Sequence, residues 1–160
     1  MSKLLTSHIA VWLGVMALVI LPLWACSSGG ASVPDAEPMP EGYSFEGMWF
    51  SDQFQHMYLH RDGDRIEGVY GYGRGGKLEG EIDGNILLFS WEEPGDRSAA
   101  VQAVSGQGYL QLRSDGAEAE LIGEWGYGED RAGGGPWTAE LIREIKGDDP
   151  RTIEEFFQVH

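Results

Sequence analysis

Turn signals that recur roughly every 8 to 12 residues constrain the fold of residues 43 to 146 more than any other feature of the sequence. The dipeptide Asp-Gly occurs at 62–63, 83–84 and 115–116, and it tolerates the positive φ angles that tight hairpins need. Short runs rich in aromatic and branched residues lie between these signals. Such spacing favours an all-β sandwich or barrel over strands separated by helices. Successive hairpins also imply that each strand pairs with the next, as an antiparallel meander.

The runs between the turns alternate with a period of two residues. In KLEGEID, residues 77 to 83, charged side chains alternate with Leu78, Gly80 and Ile82. Alternation of this kind places one face of a strand in water and the other in a core. Eight strands are predicted, over residues 45–50, 54–60, 65–72, 77–83, 85–93, 106–113, 118–127 and 136–144. Such a meander closes most economically into a small barrel without exposed edges, and a two-sheet sandwich is the alternative.

The stretch GYGRGG, residues 71 to 76, has the spacing G-x-G-x-x-G of dinucleotide-binding folds. That motif needs a following helix whose N-terminus meets the phosphates. The residues that follow are KLEGEIDGN, which alternate as a strand. The glycines are therefore interpreted as architecture, which gives aromatic rings room to lie flat. On this interpretation Gly68 accommodates Tyr70, and Gly123 accommodates Trp125.

Residues 1 to 25 resemble the signal peptide of bacterial lipoproteins. Lys3 supplies the positive start, an uncharged apolar run follows, and the run ends in LWAC, which resembles the lipobox. The resemblance implies cleavage before Cys26 and acyl chains on Cys26 that attach the protein to a membrane. Ser27, rather than Asp, at the next position implies sorting to the outer membrane. We therefore expect a lipid-anchored protein of the bacterial cell envelope, facing the periplasm or the cell surface.

The chain divides by composition. Residues 26 to 42 are rich in Ser, Gly, Pro and acidic residues, so they are predicted to form a flexible acylated tether. Residues 43 to 146 form the predicted β-barrel domain. Residues 147 to 160 break the alternation, and Asp149-Pro150 has the form of an N-cap followed by Pro at the first helical position. A short C-terminal helix is therefore predicted there.

Charge and cysteine content exclude several classes of partner. The chain carries a net charge of −15, and such a surface repels phosphates, so nucleic acid is not expected as a partner. Cys26 is the single cysteine. Neither an intramolecular disulfide nor a Cys-based metal site is therefore expected, and the role predicted for the thiol is membrane anchorage.

Gly47-Met48-Trp49 opens the first predicted strand, and Arg143 lies on the last. This pattern resembles that of the calycin superfamily, which includes lipocalins, fatty-acid-binding proteins and avidins. In that superfamily a Trp on the first strand closes the base of the barrel, and an Arg from the final strand packs across it. The resemblance implies a small calycin-like barrel with structural roles for Trp49 and Arg143. Arg143 would lie over the Trp49 ring in a cation–π contact.

The sequence contains no recognisable catalytic set. His56 and His60 share a strand face, but no third ligand accompanies them at a readable spacing. We therefore predict a protein without enzymatic activity, metal or cofactor. The default prediction is a structural or interaction module, with a filled barrel whose surface contacts envelope proteins or glycans.

The abundant aromatic residues support an alternative. Large aromatic side chains usually pack small barrel cores, but some can line a cup at the barrel mouth. Such a cup would bind a small apolar or glycan ligand. The candidate ligand-binding residues are Tyr70, Tyr72, Trp91, Trp125 and Tyr127. An open aromatic-lined interior would favour ligand binding, and a filled interior would favour the structural module.

Overall fold

The computed structural model describes residues 32–71 and 74–144, and the secondary structure of these residues consists of eight strands. The strands are β1 (Gly47–Ser51), β2 (Gln55–Asp62), β3 (Arg65–Tyr70), β4 (Gly76–Asp83), β5 (Ile86–Glu93), β6 (Val104–Ser114), β7 (Ala119–Tyr127) and β8 (Gly135–Glu144). Each strand pairs antiparallel with the next, and β8 pairs with β1, which closes the sheet into a barrel. The predicted eight-stranded meander barrel is confirmed. The pairing of β1 with β8 excludes the two-sheet sandwich.

Every predicted strand is present, and the ends differ from the prediction by at most two residues. β6 begins earlier than predicted because Ser105 and Val104 pair with Glu92 and Glu93 at the end of β5. Ser105, Gly106 and Gln107 are small or polar, so the start of β6 lacks the alternation that marks a strand. β1 begins later than predicted, at Gly47. Phe45 is fully buried in the core instead of pairing with a neighbouring strand.

Asp-Gly turns close hairpins at one end of the barrel. Gly63 and Gly84 follow β2 and β4 with φ angles of 64° and 55°, a region that residues with side chains rarely adopt. Gly84 is also pressed against the N-terminal segment, since a Cβ there would collide with the carbonyl oxygen of Glu37. The turn prediction is confirmed at both positions.

The barrel interior is filled over most of its length. Trp49 and Trp137 are the largest fully buried side chains, and Trp49 Nε1 donates a hydrogen bond to the Phe45 carbonyl at 2.9 Å. Aliphatic side chains from successive strands complete the core, among them Leu59, Ile66, Leu78, Leu87, Leu110, Leu112 and Leu121. The interpretation that many of the aromatic residues pack the core is confirmed for these two tryptophans.

One end of the barrel is covered by residues 32 to 46, and we call it the closed end. The main-chain N–H of Glu37 donates to Asn85 Oδ1 at 2.8 Å, and Asn85 N donates to the Glu37 carbonyl at 2.8 Å. Met39 packs against the core, and Phe45 is fully buried. Within the tether predicted for residues 26 to 42, the described residues 32 to 42 thus make hydrogen bonds and packing contacts with the barrel. Amino-acid composition could not predict this docking, because Glu37 makes the contact with its main-chain N–H and carbonyl groups.

The first and last strands are neighbours, as the calycin resemblance implies, and their register places Arg143 beside Met48. Arg143 pairs with Met48, is exposed, and has its Nη2 atom 3.5 Å from Met48 Sδ. Trp49 pairs with Leu141 and points into the barrel, where it is fully buried. Consecutive residues of a strand face opposite sides of the sheet. The register thus places Arg143 on the outer face beside Met48 and does not support its stacking on Trp49.

Several predictions fall outside the described residues. They are the signal peptide of residues 1 to 25, the lipidation of Cys26, and the helix of residues 147 to 160. All three stay predictions. Within residues 32–71 and 74–144, the chain has no helix of the length and apolarity that a membrane span requires.

Candidate ligand-binding site

The end of the barrel opposite the closed end surrounds a cavity of about 450 Å³. Here the odd-numbered strands end and the even-numbered strands begin. Binding sites for small molecules commonly enclose about 300–1,000 Å³. The aromatic side chains that line this cavity are Phe54, Tyr70, Trp91, Trp125, Tyr127 and Trp137. We call the cavity and these six side chains the aromatic mouth.

Four of the five predicted ligand-binding residues lie in the aromatic mouth: Tyr70, Trp91, Trp125 and Tyr127. Tyr72 lies outside the described residues. The four residues lie near the C-terminal ends of β3, β5 and β7, which a meander brings to the same end of the barrel. The structure therefore gathers at one site residues that are far apart in the sequence.

Trp91, Trp125 and Tyr127 form the rim of the aromatic mouth. Their ring centroids lie 5.1 to 5.7 Å apart in edge-to-face arrangements. Trp91 is buried, and its Nε1 donates to the Gly126 carbonyl at 3.2 Å. Tyr127, by contrast, is 60% exposed. The rim thus presents aromatic surface to solvent on a rigid support, which suits contact with a ligand.

Phe54 and Trp137 form the floor. Their rings are stacked, with centroids 3.9 Å apart and an interplanar angle of 23°, and Tyr70 meets both rings edge-on. The sequence analysis did not assign either residue to the site. Trp137 pairs with Gly123 in the register of β7 and β8, two residues before Trp125. Period-two alternation carried from β7 onto β8 is the signal that could have placed Trp137 at the floor.

Two glycines leave room for rings of the aromatic mouth. A Cβ on Gly76 would collide with the Tyr70 ring, which lies across from it on the paired strand. A Cβ on Gly134 would lie 2.5 to 2.8 Å from three carbons of the Trp125 indole. Both rings therefore pack directly on backbone, and the predicted use of glycine is confirmed.

The glycines that perform this role differ from those predicted. Gly68 faces the Leu59 side chain, and Gly123 approaches the main-chain carbonyl of Tyr109. The prediction assigned each glycine to an aromatic residue two positions along the same strand. Rings instead reach glycines on a neighbouring strand or in a loop, so the pairing depends on the register.

Tyr70 and Glu93 place a hydrogen-bonded pair in the wall of the aromatic mouth. The Tyr70 hydroxyl donates to Glu93 Oε1 at 3.2 Å. Burial raises the pKa of Tyr70 well above its usual range, and the negative charge of Glu93 and this hydrogen bond raise it further. The phenol therefore stays a protonated donor at physiological pH and orients the carboxylate. The sequence analysis did not identify Glu93, which lies 23 residues from Tyr70.

The floor carries a polar group without a protein partner. Among the described residues, Trp137 Nε1 is buried and has no hydrogen-bond partner. A buried donor left unsatisfied costs about 1–3 kcal/mol. Trp137 carries this cost at the floor of the cavity, with no acceptor from the described residues to offset it.

Glu93 is the one charged side chain among the described residues that line the aromatic mouth. An adjoining cavity of about 490 Å³ shares Tyr70 and Glu93 with it and adds Arg74 and Lys77. The Arg74 guanidinium is 2.6 Å from a carboxylate oxygen of Asp96, so its charge is already paired. Lys77 is exposed and lies opposite Glu92 on the outer face of the sheet. The local field of the aromatic mouth is therefore set by a carboxylate.

The two candidate histidines have separate surroundings. His56 meets the Phe50 ring edge-on with centroids 5.2 Å apart, and His60 Nδ1 lies 3.2 Å from Glu46 Oε1. Within the part of the chain that the structure describes, no three His, Cys, Asp or Glu side chains are grouped as a metal site would need. The aromatic mouth is therefore the candidate site that these residues offer.

Strand pairing establishes the closed barrel, and the lining residues define the aromatic mouth. The calycin resemblance of Trp49 and Arg143 stays a prediction. No family model, curated protein or solved structure matches this chain, so the chemistry of the aromatic mouth has to follow from its own residues.

Proposed function

We propose that this protein binds a small ligand in the aromatic mouth, as a lipid-anchored protein of the bacterial cell envelope. The observation that carries the proposal is a cavity of about 450 Å³, lined with aromatic side chains, at one end of an otherwise filled barrel. Ligand sites combine apolar walls with a few polar groups that orient the ligand. The ligand is a small molecule with an apolar or sugar-like face.

The polar groups of the aromatic mouth support this proposal. Glu93 offers acceptor oxygens, and Trp137 Nε1 is a buried donor without a protein partner. Groups of this kind are scarce in a core that only has to be packed, because each unsatisfied donor destabilises the fold. Glu93 lines the cavity, where a bound molecule can complete the hydrogen bonds of its carboxylate; Trp137 Nε1 is buried in the floor and becomes reachable only if the floor shifts.

Preorganisation is a second support. The Trp91 indole is fixed by its bond to the Gly126 carbonyl, and the Trp125 and Tyr70 rings pack on glycine backbone. Rings held in this way lose little conformational entropy when a ligand binds. Cavity walls that are already ordered suit a binding site.

The proposed anchor is compatible with access of a ligand to the aromatic mouth. Residues 32 to 46 cover the closed end, and Glu37 is held there by Asn85. Acyl chains on Cys26 would therefore reach the domain from the side of the closed end. The aromatic mouth would then face away from the membrane, toward molecules in the surrounding solution.

A structural or interaction module is the second candidate function. It is favoured by the filled interior, where Trp49, Leu59 and Leu110 are fully buried and leave no room for a ligand deep in the barrel. On this alternative, the outer face of the barrel contacts an envelope protein or a glycan. The net charge of −15 argues against nucleic acid on either view.

Tryptophan fluorescence separates the two candidates. The purified chain is titrated with a panel of glycans, lipids and small apolar molecules, and a ligand of the aromatic mouth changes the emission of Trp91, Trp125 and Trp137. Tyr127→Ala should weaken binding about tenfold, a loss of about 1.4 kcal/mol. Ile142→Ala is the matched control, since Ile142 is similarly exposed but lies on β8 near the closed end. Saturable binding that Tyr127→Ala leaves unchanged, or no binding by the folded chain, would contradict the proposal.

A further inference from the structure

The aromatic mouth combines an uncompensated carboxylate with aromatic walls. Among its described lining residues no Lys, Arg or His is present, and Glu93 carries the charge. Of the two cations in the adjoining cavity, Arg74 is paired with Asp96, and Lys77 is exposed and lies opposite Glu92, on the strand face that Glu93 does not share. The hydrogen bond from Tyr70 orients the Glu93 carboxylate but brings no positive charge. The site therefore lacks a counter-ion of its own.

We propose that the ligand of the aromatic mouth carries a substituted ammonium group, with a quaternary ammonium ion as the best fit. This inference rests on the proposed function and names the ligand class for the same site. A cation entering the cavity would pair with Glu93, whereas an anion would be repelled both by Glu93 and by the acidic surface of the chain.

The aromatic walls favour the same charge. Each ring carries negative potential on its face, and a cation within about 6 Å of a ring centroid is attracted by it, most strongly at Trp. Trp91, Trp125 and Tyr127 lie together at the rim, and Trp137 lies at the floor. Several rings and one carboxylate around a single cavity provide the surroundings in which quaternary ammonium groups are bound.

Hydrogen-bonding capacity distinguishes a quaternary from a primary ammonium. A primary ammonium has three N–H donors, each of which needs an acceptor once it leaves water. The described lining side chains offer strong acceptors at Glu93 and Gln53 and weaker ones at the Tyr70 and Tyr127 hydroxyls, and the remaining walls are largely apolar. A quaternary ammonium has no N–H donor and presents methyl groups to the rings. It therefore enters such a cavity without leaving donors unpaired.

Calorimetric titration of the purified chain with choline tests the inference. The comparison ligand is 3,3-dimethylbutan-1-ol, which has the shape of choline but no charge. We expect choline to bind at least about tenfold more tightly than the alcohol, a difference of about 1.4 kcal/mol. Glu93→Gln should weaken choline binding about tenfold and leave the alcohol unaffected. Glu120→Gln makes the same charge change on β7 near the closed end and should leave both affinities unchanged.

The possible results separate this inference from the proposed function. Equal affinity for choline and the alcohol would overturn the cation inference while leaving a ligand site in the aromatic mouth. An unchanged choline affinity in Glu93→Gln, with the variant folded by circular dichroism, would overturn it in the same way. Binding of neither compound would also overturn it, and the fluorescence titration with uncharged ligands would then decide the proposed function independently.

Discussion

Replacing Asn85 by Ala should destabilise the domain more than any surface substitution. Asn85 is 3% exposed and joins three segments at the closed end. Its Oδ1 accepts from the Glu37 main chain at 2.8 Å, and its Nδ2 donates to the Leu112 carbonyl at 3.1 Å. Ala removes both bonds and leaves the Glu37 amide and the buried Leu112 carbonyl without these partners.

The magnitude follows from these two bonds. A hydrogen bond within a protein contributes a net of about 0.5–1.5 kcal/mol, and a buried group left unsatisfied costs about 1–3 kcal/mol. The Leu112 carbonyl is buried, whereas the Glu37 amide lies at the edge and can recover part of its loss from water. We therefore expect Asn85→Ala to lower the free energy of unfolding by about 2–4 kcal/mol. For a domain of this size, Tm should fall by roughly 10–20 °C.

Urea denaturation followed by tryptophan fluorescence and by circular dichroism measures this change. Ser90→Ala is the control: Ser90 is exposed and makes a long hydrogen bond of 3.4 Å to the Glu79 carbonyl. It should stay within about 0.5 kcal/mol of the natural sequence. A loss below about 1 kcal/mol for Asn85→Ala would refute the idea that residues 32 to 46 are firmly docked through Asn85.

Three further predictions concern other parts of the barrel. Gly76→Ala should lower the free energy of unfolding by about 1–3 kcal/mol in urea denaturation, because its Cβ collides with the buried Tyr70 ring. The raised pKa of Tyr70 means that the folded state holds this proton more tightly than the unfolded state. The contribution of this proton to the free energy of unfolding is complete below about pH 10 and falls by about 1.4 kcal/mol per pH unit above it. Tyr70→Phe should therefore remove this part of the loss of stability at alkaline pH. Main-chain amides of Ala117 and Glu118 lower the pKa of Asp115, so its stabilisation is present above about pH 4 and is lost as the pH falls further. Asp115→Ala should flatten that acid response in a series of denaturation curves, and an unchanged response would contradict the role of these amides.

The strands were predictable because local patterns determine them. The alternation of residues 77 to 83 reports directly which face of β4 is buried, and Asp-Gly at 83–84 marks the turn that follows. The strand order of a meander can also be predicted without information on long-range contacts, since each strand pairs with its sequence neighbour. Eight strands that each have one apolar face also fit a two-sheet sandwich, and the pairing of β1 with β8 decides in favour of the barrel.

The details of the site depended on register, which no local pattern reveals. Glu93 joins the aromatic mouth through a bond to Tyr70 on a strand that is not its sequence neighbour. Arg143 lies beside Met48 because the register of β1 and β8 shifts between Met48 and Trp49. The docking of Glu37 uses main-chain groups, which every residue possesses. Only the three-dimensional arrangement distinguishes these contacts from the alternatives.

The central claim is that the aromatic mouth is the ligand site, and indole N–H resonances test it most directly. The nitrogen-15-labelled chain is titrated with choline, and the signals are assigned through single Trp→Phe variants. We expect the indole signals of Trp125 and Trp137 to shift with one common saturation curve. Trp49 is the internal control, because its Nε1 is bonded to Phe45 near the closed end, and its signal should stay in place. Saturable binding that leaves Trp125 and Trp137 unshifted, or that shifts Trp49 as strongly, would contradict the account.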